Sequence, residues 1–510
     1  MSPSLTTTVL AVIAVPVGYL LATSFRDGTD SRPPGPRRWP LIGSVLEVPR
    51  SYQWFKFAEW AKTYGSIVYL EAVGQPIVVL NSAKVAKDLL DQRSFLYSDR
   101  PNFTMANLSG YGEAFAILPY GDKWRQQRKI VAQEFGPGAV RRYHPLQEEE
   151  SRKLVHGIVD DPSSFARQVQ LRIGAIIVRA TYGHYLTSEQ DVFLTSPLKS
   201  MENFSKAGAP GAWLVDSLPI LKKLPEWTPW SSFLRKAKEW RALELNNAWD
   251  PYLWSKENWE SNTVLRPNLC ATTLEALEGT PSKEQEERLV WAASTVMGGG
   301  LDPNVSSILT FFLAMMLHPS VQTKAQQEID TVIGSDRLPT IQDRESLPYV
   351  RSIMTEVFRW KPAVPLGIPH ALIQDDVYDG MYLPKGSLVI PNVWYMLRDP
   401  EIYHDPLEFD PDRYQNLDSE MDKVTDLLFG FGRRSCPGQD FAEGTFFAIV
   451  STILATCEIS PTVDAQGVPV IPDVTYTSGV NIFPSPFDCN VKCRSERALE
   501  LLSGNDDVYM

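Results

Sequence analysis

One cysteine loop constrains this chain more than any other feature. Cys436 stands in Phe429-Gly-Phe-Gly-Arg-Arg-Ser-Cys-Pro-Gly438, with arginines before it and glycines on both sides. Directly afterwards Phe441, Thr445, Phe446, Ile449, Val450 and Ile453 recur at helical spacing. The thiol therefore precedes a helix N-terminus, where the dipole and the free backbone N–H groups favour an anion. Arg433 and Arg434 add positive charge. Such surroundings predict a depressed thiol pKa and a stored thiolate. Gly432 and Gly438 carry no side chain, so a flat partner can come close to the sulfur.

The flat partner that calls for a single cysteine thiolate is haem iron. Phe429, Gly432, Arg434, Cys436 and Gly438 fill every fixed position of a pattern that resembles the haem-binding signature of the cytochrome P-450 family. Four further segments follow that family's order along nearly the whole chain. The resemblance implies a mainly α fold with a small β region and an N-terminal membrane anchor. It implies haem as cofactor, Cys436 as the metal ligand, and Phe429, Arg434 and Gly438 as cofactor-binding residues.

Trp124 and Arg128 lie four apart in a helical stretch and share one face. Taken alone they fit a solvated basic helix; the resemblance implies that both contact a haem propionate, where a planar guanidinium suits a carboxylate. His370 resembles the position that meets the other propionate, although a lone histidine otherwise reads as core or surface. Glu356 and Arg359 are spaced i, i+3 and can pair on a helix. On a surface that pair contributes only about 0.3–0.5 kcal/mol. The resemblance makes it structural instead, a buried triad completed by Arg413 of Phe409-Asp-Pro-Asp-Arg413.

Val296-Met-Gly-Gly-Gly-Leu-Asp-Pro-Asn-Val-Ser-Ser307 departs from the family pattern. Gly299, Gly300 and Asp302 match it, and the glycines leave room for dioxygen and substrate. Pro303 occupies the position of the family's threonine, which helps deliver protons during oxygen activation. Proline has neither hydroxyl nor N–H and kinks a helix interior. Either Asn304 or Ser306 places a proton-donating water, or a substrate hydroxyl does so, or the enzyme has left ordinary oxygen activation. The catalytic candidates are Gly299, Gly300, Asp302 and Asn304.

The 510 residues suffice for a deep core and an enclosed pocket. A net charge of −12 without basic runs argues against nucleic acid as a partner. Five scattered cysteines make a poor disulfide framework and fit a reducing compartment. Residues 1–25 read as a transmembrane anchor: Val9–Ala22 is apolar, and the first charge after the N-terminus is Arg26. Arg26, Arg32, Arg37 and Arg38 follow the apolar stretch, which places the body in the cytosol, and the resemblance implies that the membrane is the endoplasmic reticulum. Residues 26–50 form a basic, proline-rich hinge, 51–500 the catalytic domain and 501–510 a tail. Ser66–Val79 and Ala363–Pro411 read as short strands with turns, and helical patterns dominate residues 120–360.

No dinucleotide-binding glycine motif and no flavin domain are visible, so electrons must come from a separate NADPH-dependent flavoprotein reductase. That reductase is expected to dock near Lys123, Arg125, Lys129 and Arg433. The pocket walls are expected from Met105, Leu108, Tyr111, Phe115, Val296, Met297, Val364, Leu366 and Thr477–Val480. Their low charge predicts a lipophilic substrate: a terpenoid or aromatic secondary metabolite, or a xenobiotic, as in the fungal microsomal members that the chain resembles. The expected reaction inserts one oxygen atom into that substrate. The alternative, prompted by Pro303, is non-oxygenating or peroxide-dependent chemistry.

Overall fold

The computed structural model describes residues 31–503, apart from Pro210 and Glu278. The expected anchor, residues 1–25, lies outside the described residues, as do residues 26–30 of the hinge and 504–510 of the tail. From residue 31 the proline-rich segment is non-helical until a 3-10 turn at Val45–Glu47. It lies along a sheet edge, with Tyr69 N–H donating to the Pro34 carbonyl at 3.0 Å. Contact is so close at Gly35 that a Cβ there would sit 1.8 Å from the Tyr69 oxygen.

The helices that build the site are α1 (Asp122–Phe135), α2 (His144–Asp160), α3 (Phe165–Tyr182), α4 (Val192–Ala207), α5 (Ser232–Glu260), α6 (Lys283–Leu317), α7 (Pro348–Trp360) and α8 (Gln439–Thr456). α6 starts where Ser282 and Gln285 bond reciprocally to each other's backbone N–H, a capping box that fixes its first turn. By length and composition α6 could cross a membrane, but 72% of its apolar window is buried, which makes it a core helix. It packs on α1, α3, α4, α5, α7 and α8. The apolar repeat after Cys436 forms α8, whose Phe446, Phe447, Ile449, Val450 and Ile453 are buried between α2, α6 and α7.

The small β region is as expected. β1 (Ile67–Ala72) and β2 (Gln75–Leu80) form a hairpin, and Val73 and Gly74 both take positive φ at its two-residue turn. Later come β3 (His370–Ala371), β4 (Asp376–Tyr378), β5 (Met381–Leu383) and β6 (Leu388–Pro391), then a ribbon of β7 (Cys457–Pro461) and β8 (Cys489–Cys493). The main sheet runs β1-β2-β6-β3, with β2 and β6 parallel. Val389 of β6 stands opposite His370, which sets that histidine at the inner strand.

The Glu356 triad holds the core of α7. Arg359 donates from Nε and a terminal nitrogen to the two Glu356 oxygens at 2.7 and 2.8 Å, and both side chains are fully buried. Arg413 Nε, Tyr414 Oη and the Asp410 N–H donate to the same carboxylate at 3.1, 2.7 and 2.9 Å. The rest of Arg359 is satisfied by the Leu397, Pro406 and Glu408 carbonyls. Every lone pair and proton of the ion pair is used, the condition under which a buried pair is tolerated.

Candidate functional site: a thiolate loop beneath a glycine-bearing helix

The cysteine loop begins where a helix at Asp418–Leu428 ends. The Cys436 N–H donates to the Phe429 carbonyl at 2.7 Å and closes the loop. Gly430 and Gly432 take positive φ, +82° and +51°. A Cβ on Gly432 would lie 2.4 Å from the Leu90 carbonyl oxygen, so this glycine serves backbone packing. Of the loop's glycines, Gly430 and Gly438 border the cavity, which corrects the expectation that Gly432 clears space for the partner. Around Gly438 a Cβ would meet nothing within 4 Å.

Cys436 lies deep in the protein, yet its side chain opens onto the cavity. Burial pushes its thiol up, while the Gly438 N–H and the Arg128 charge draw it down. Asp440 and Glu443 of α8 oppose them. Burial thus opposes the depressed thiol predicted from the helix N-terminus, and coordination to a metal would deprotonate the thiol. Nor does Arg434 act on the sulfur. It donates to the carbonyls of Ser98, Phe115 and Leu118 at 2.7, 3.2 and 2.7 Å.

The cavity is about 370 Å³ and is bordered by Trp124, Arg128, His370, Phe429, Arg434, Cys436 and Gly438. All seven expected cofactor residues thus meet in one place. Arg128 and Arg434 lie 5.6 and 4.6 Å from the Trp124 ring centre. Arg128 donates to the Ser435 carbonyl at 2.6 Å, which ties α1 to the cysteine loop. His370 Nδ1 is 2.8 Å from the Tyr97 carbonyl, and burial holds its ring well below the usual imidazole range.

Arg100, which sequence reasoning missed, borders the same cavity and bonds to the carbonyls of Ala116, Ile368 and Pro369. The hydrogen bonds of Arg100, Arg128 and Arg434 go to carbonyls and a serine hydroxyl rather than to carboxylates. Three guanidiniums without a carboxylate partner at one end, a lone thiol and an open glycine face fit a flat dianionic group with a thiolate-seeking metal. Haem is that group.

The comparisons with known proteins agree. The family profile for Cytochrome P-450 matches residues 33–477. Cytochrome P-450 monooxygenase 105 of Postia placenta is 53% identical over 469 residues, covering 92% of this chain and 90% of that protein. The chain belongs to the cytochrome P-450 family. Cytochrome P-450 monooxygenase 45 of the same fungus is 52% identical over 473 residues, covering 92% of this chain and 89% of that one. Cytochrome P-450 monooxygenase claR of Ampulloclitocybe clavipes is 38% identical over 514 residues, covering 100% of this chain and 95% of that one. This P-450 is accordingly a haem-thiolate monooxygenase. Haem bound here would supply oxygen activation, and Cys436 is the residue that would hold its iron.

In this P-450, α6 passes through Pro303 without a break. Gly299 borders the cavity, with nothing within 4 Å of where a Cβ would stand; at Gly300 a Cβ would be 2.9 Å from Ile177. Pro303 has no N–H, so it gives the Gly299 carbonyl no helical bond. The Asn304 side chain donates to the Gly300 carbonyl at 2.7 Å and borders the cavity. Ser306 does not serve as expected: its hydroxyl donates to the Ile482 carbonyl at 2.5 Å in the core, and Ser307 is the serine that faces the cavity. Asp302 does not border the cavity either. Asn481 does, and it donates to Asp302 at 3.3 Å. Burial pushes the Asp302 carboxyl up to about 6.

Of the expected walls, Tyr111, Phe115, Val296, Val364 and Val480 border the main cavity. Leu366, Ser478 and Gly479 border a smaller adjoining pocket. Met297 is buried in the main core, and Met105 in a second apolar cluster against which Leu108 packs. The cavity also has a polar patch that no motif announced: Tyr111, Ser200, Glu244, Asn247 and Ser294.

Proposed function

We propose that this P-450 oxygenates a lipophilic small molecule, a terpenoid or aromatic secondary metabolite or a xenobiotic, with electrons from NADPH through a separate flavoprotein reductase. The observation that carries the substrate class is the apolar part of the cavity lining, which includes Phe115, Ile117, Ile177, Val296, Phe358 and Val364. Such a wall binds by excluding water from apolar surface. Reductase docking is assigned to the surface of α1 and the cysteine loop. Lys123, Arg125, Lys129 and Arg433 are exposed there, although Lys123 and Arg125 already pair with Glu113 and Asp122.

The same proposal sets the protein on the endoplasmic reticulum membrane, catalytic body in the cytosol. Leu214, Ile220, Trp227 and Trp230 support it: all four lie between α4 and α5, and the two tryptophans are 82% and 81% exposed. Exposed tryptophans and leucines are what a peripheral membrane contact uses. Deleting residues 1–25 is expected to move protein from the membrane to the soluble fraction in part, with the rest released by salt or mild detergent. Wholly unchanged fractionation would contradict the anchor.

Pro303 favours one competing reading, peroxide-dependent or non-oxygenating chemistry. The two separate on Pro303→Thr, read as the share of NADPH electrons that reaches product rather than peroxide. A threonine N–H restores the donor for the Gly299 carbonyl. If the freed carbonyl and Asn304 order water for proton delivery, coupling falls several-fold. A rise in coupling would show that Pro303 impairs oxygen activation and would favour the competing chemistry.

A further inference from the structure

The cavity roof holds a carboxyl group that the haem chemistry does not use. Glu244 of α5 is 4% exposed and sits between two neighbouring helices. Ser200 of α4 donates to one of its oxygens, and Ser294 of α6 donates to the other at 3.2 Å. Tyr111 Oη donates to the Ser200 carbonyl at 2.8 Å and closes the patch. Among the described residues no cation pairs with Glu244; the Ser200 and Ser294 hydroxyls donate to it, and burial pushes its carboxyl up to about 7. Such a group costs the folded chain stability as pH rises from the ordinary carboxylate range to about 7. A core that needed only packing would hold an apolar side chain here.

Asn247, one helical turn further on α5, supplies the second observation. It borders the cavity, is 7% exposed, and its Oδ1 has no hydrogen-bond partner. The Asn247 amide draws the Glu244 carboxyl down, while its Oδ1 is an acceptor that needs a donor. The Tyr111, Ser200 and Ser294 hydroxyls are already paired within the patch, which leaves an occupant of the cavity to supply the donor that Oδ1 lacks. A neutral amide oxygen suits an uncharged donor.

We propose that Asn247 and Glu244 form a polar anchor in the cavity roof that holds a hydroxyl group of an otherwise apolar substrate. The inference rests on the reading that this cavity takes a lipophilic molecule, and it narrows that class to compounds bearing an alcohol. The anchor also sets a spacing. Ser294 and Gly299 lie five residues apart on α6, an axial rise of about 7.5 Å, so the hydroxyl is held well away from the carbon presented beneath Gly299.

The test is equilibrium binding to the haem-loaded protein, read as the spin-state change of the haem spectrum. The probes are 5α-androstane, its 3β-alcohol and the 3β-methyl ether, with dodecane, 1-dodecanol and the methyl ether as a second skeleton. The alcohol should bind about ten-fold to a hundred-fold tighter than the hydrocarbon on at least one skeleton. The ether, which keeps the oxygen but lacks the donor, should follow the hydrocarbon. Asn247→Leu should bring the alcohol down to the hydrocarbon's affinity while the hydrocarbon's changes little. Glu244→Gln, which keeps the shape of the roof, should reduce the preference and serves if the first variant does not fold. Alcohol and hydrocarbon of equal affinity, an ether that binds like the alcohol, no binding by either alcohol, or a preference untouched by both substitutions would each overturn the anchor. Failure of NADPH-dependent oxygenation with the alcohol preference intact would sink the proposed function instead and leave the anchor standing.

Discussion

Cys436→Ser is expected to abolish the thiolate spectrum of the bound haem and, with it, NADPH-dependent oxygenation. The loop should survive the change. Its closing bond runs between backbone atoms, Cys436 N–H to the Phe429 carbonyl, and Arg128 grips the loop through the Ser435 carbonyl. A serine hydroxyl keeps the volume close but is not a soft thiolate donor. Thermal stability of the haem-free variant should therefore stay near that of the parent, which marks the loss as chemical. The measurement is the reduced carbon monoxide difference spectrum of purified protein. A retained thiolate spectrum would overturn the ligand assignment. It would also be hard to relocate, since Cys270, Cys457, Cys489 and Cys493 do not border the cavity.

Glu356→Ala should have the largest effect on folding. It strips Arg359 of its carboxylate where neither side chain has any exposure. It also orphans Tyr414 Oη, the Asp410 N–H and Arg413 Nε. Breaking a buried pair by removing one partner costs about 3–5 kcal/mol, against a total stability of about 5–15 kcal/mol. Little soluble, haem-loaded protein is expected, and Glu356→Gln should fall between, because an amide can still accept one or two of these bonds. The exposed pair Lys423–Glu420 is the control: 54% and 42% exposed, it should yield a change of under about 1 kcal/mol when broken. Parent-like melting and haem content in Glu356→Ala would refute the structural role of the triad.

What the sequence made legible is whatever depends on short spacing. Cys436 ahead of α8, Trp124 with Arg128, and Glu356 with Arg359 are each read within five residues, and the structure brings them to the expected places. Neighbours along a helix are harder. Ser306 and Ser307 differ by about 100° around α6, which is enough to send one to the core and the other to the cavity. Gly430 and Gly432 likewise share a loop, and only the path of Leu90 decides which of them is needed for close packing. Arg100, Glu244, Asn247 and Asn481 were not legible at all. They come from segments far apart in the chain, and each looks like an ordinary surface residue until packing sets it beside the cavity. A buried charge has no local signature; its partners are set by tertiary structure.

The central claim is that this chain inserts an atom of dioxygen into a lipophilic substrate above the Cys436 thiolate. Its most direct test is turnover in membranes containing the full-length protein and a co-expressed reductase. NADPH and isotopically labelled dioxygen are supplied with a panel of terpenoids, steroids and polycyclic aromatics, alcohols among them. The account predicts products carrying one labelled oxygen atom, formed only when NADPH and reductase are both present. Product formed without NADPH or reductase, or product free of the label, would contradict it.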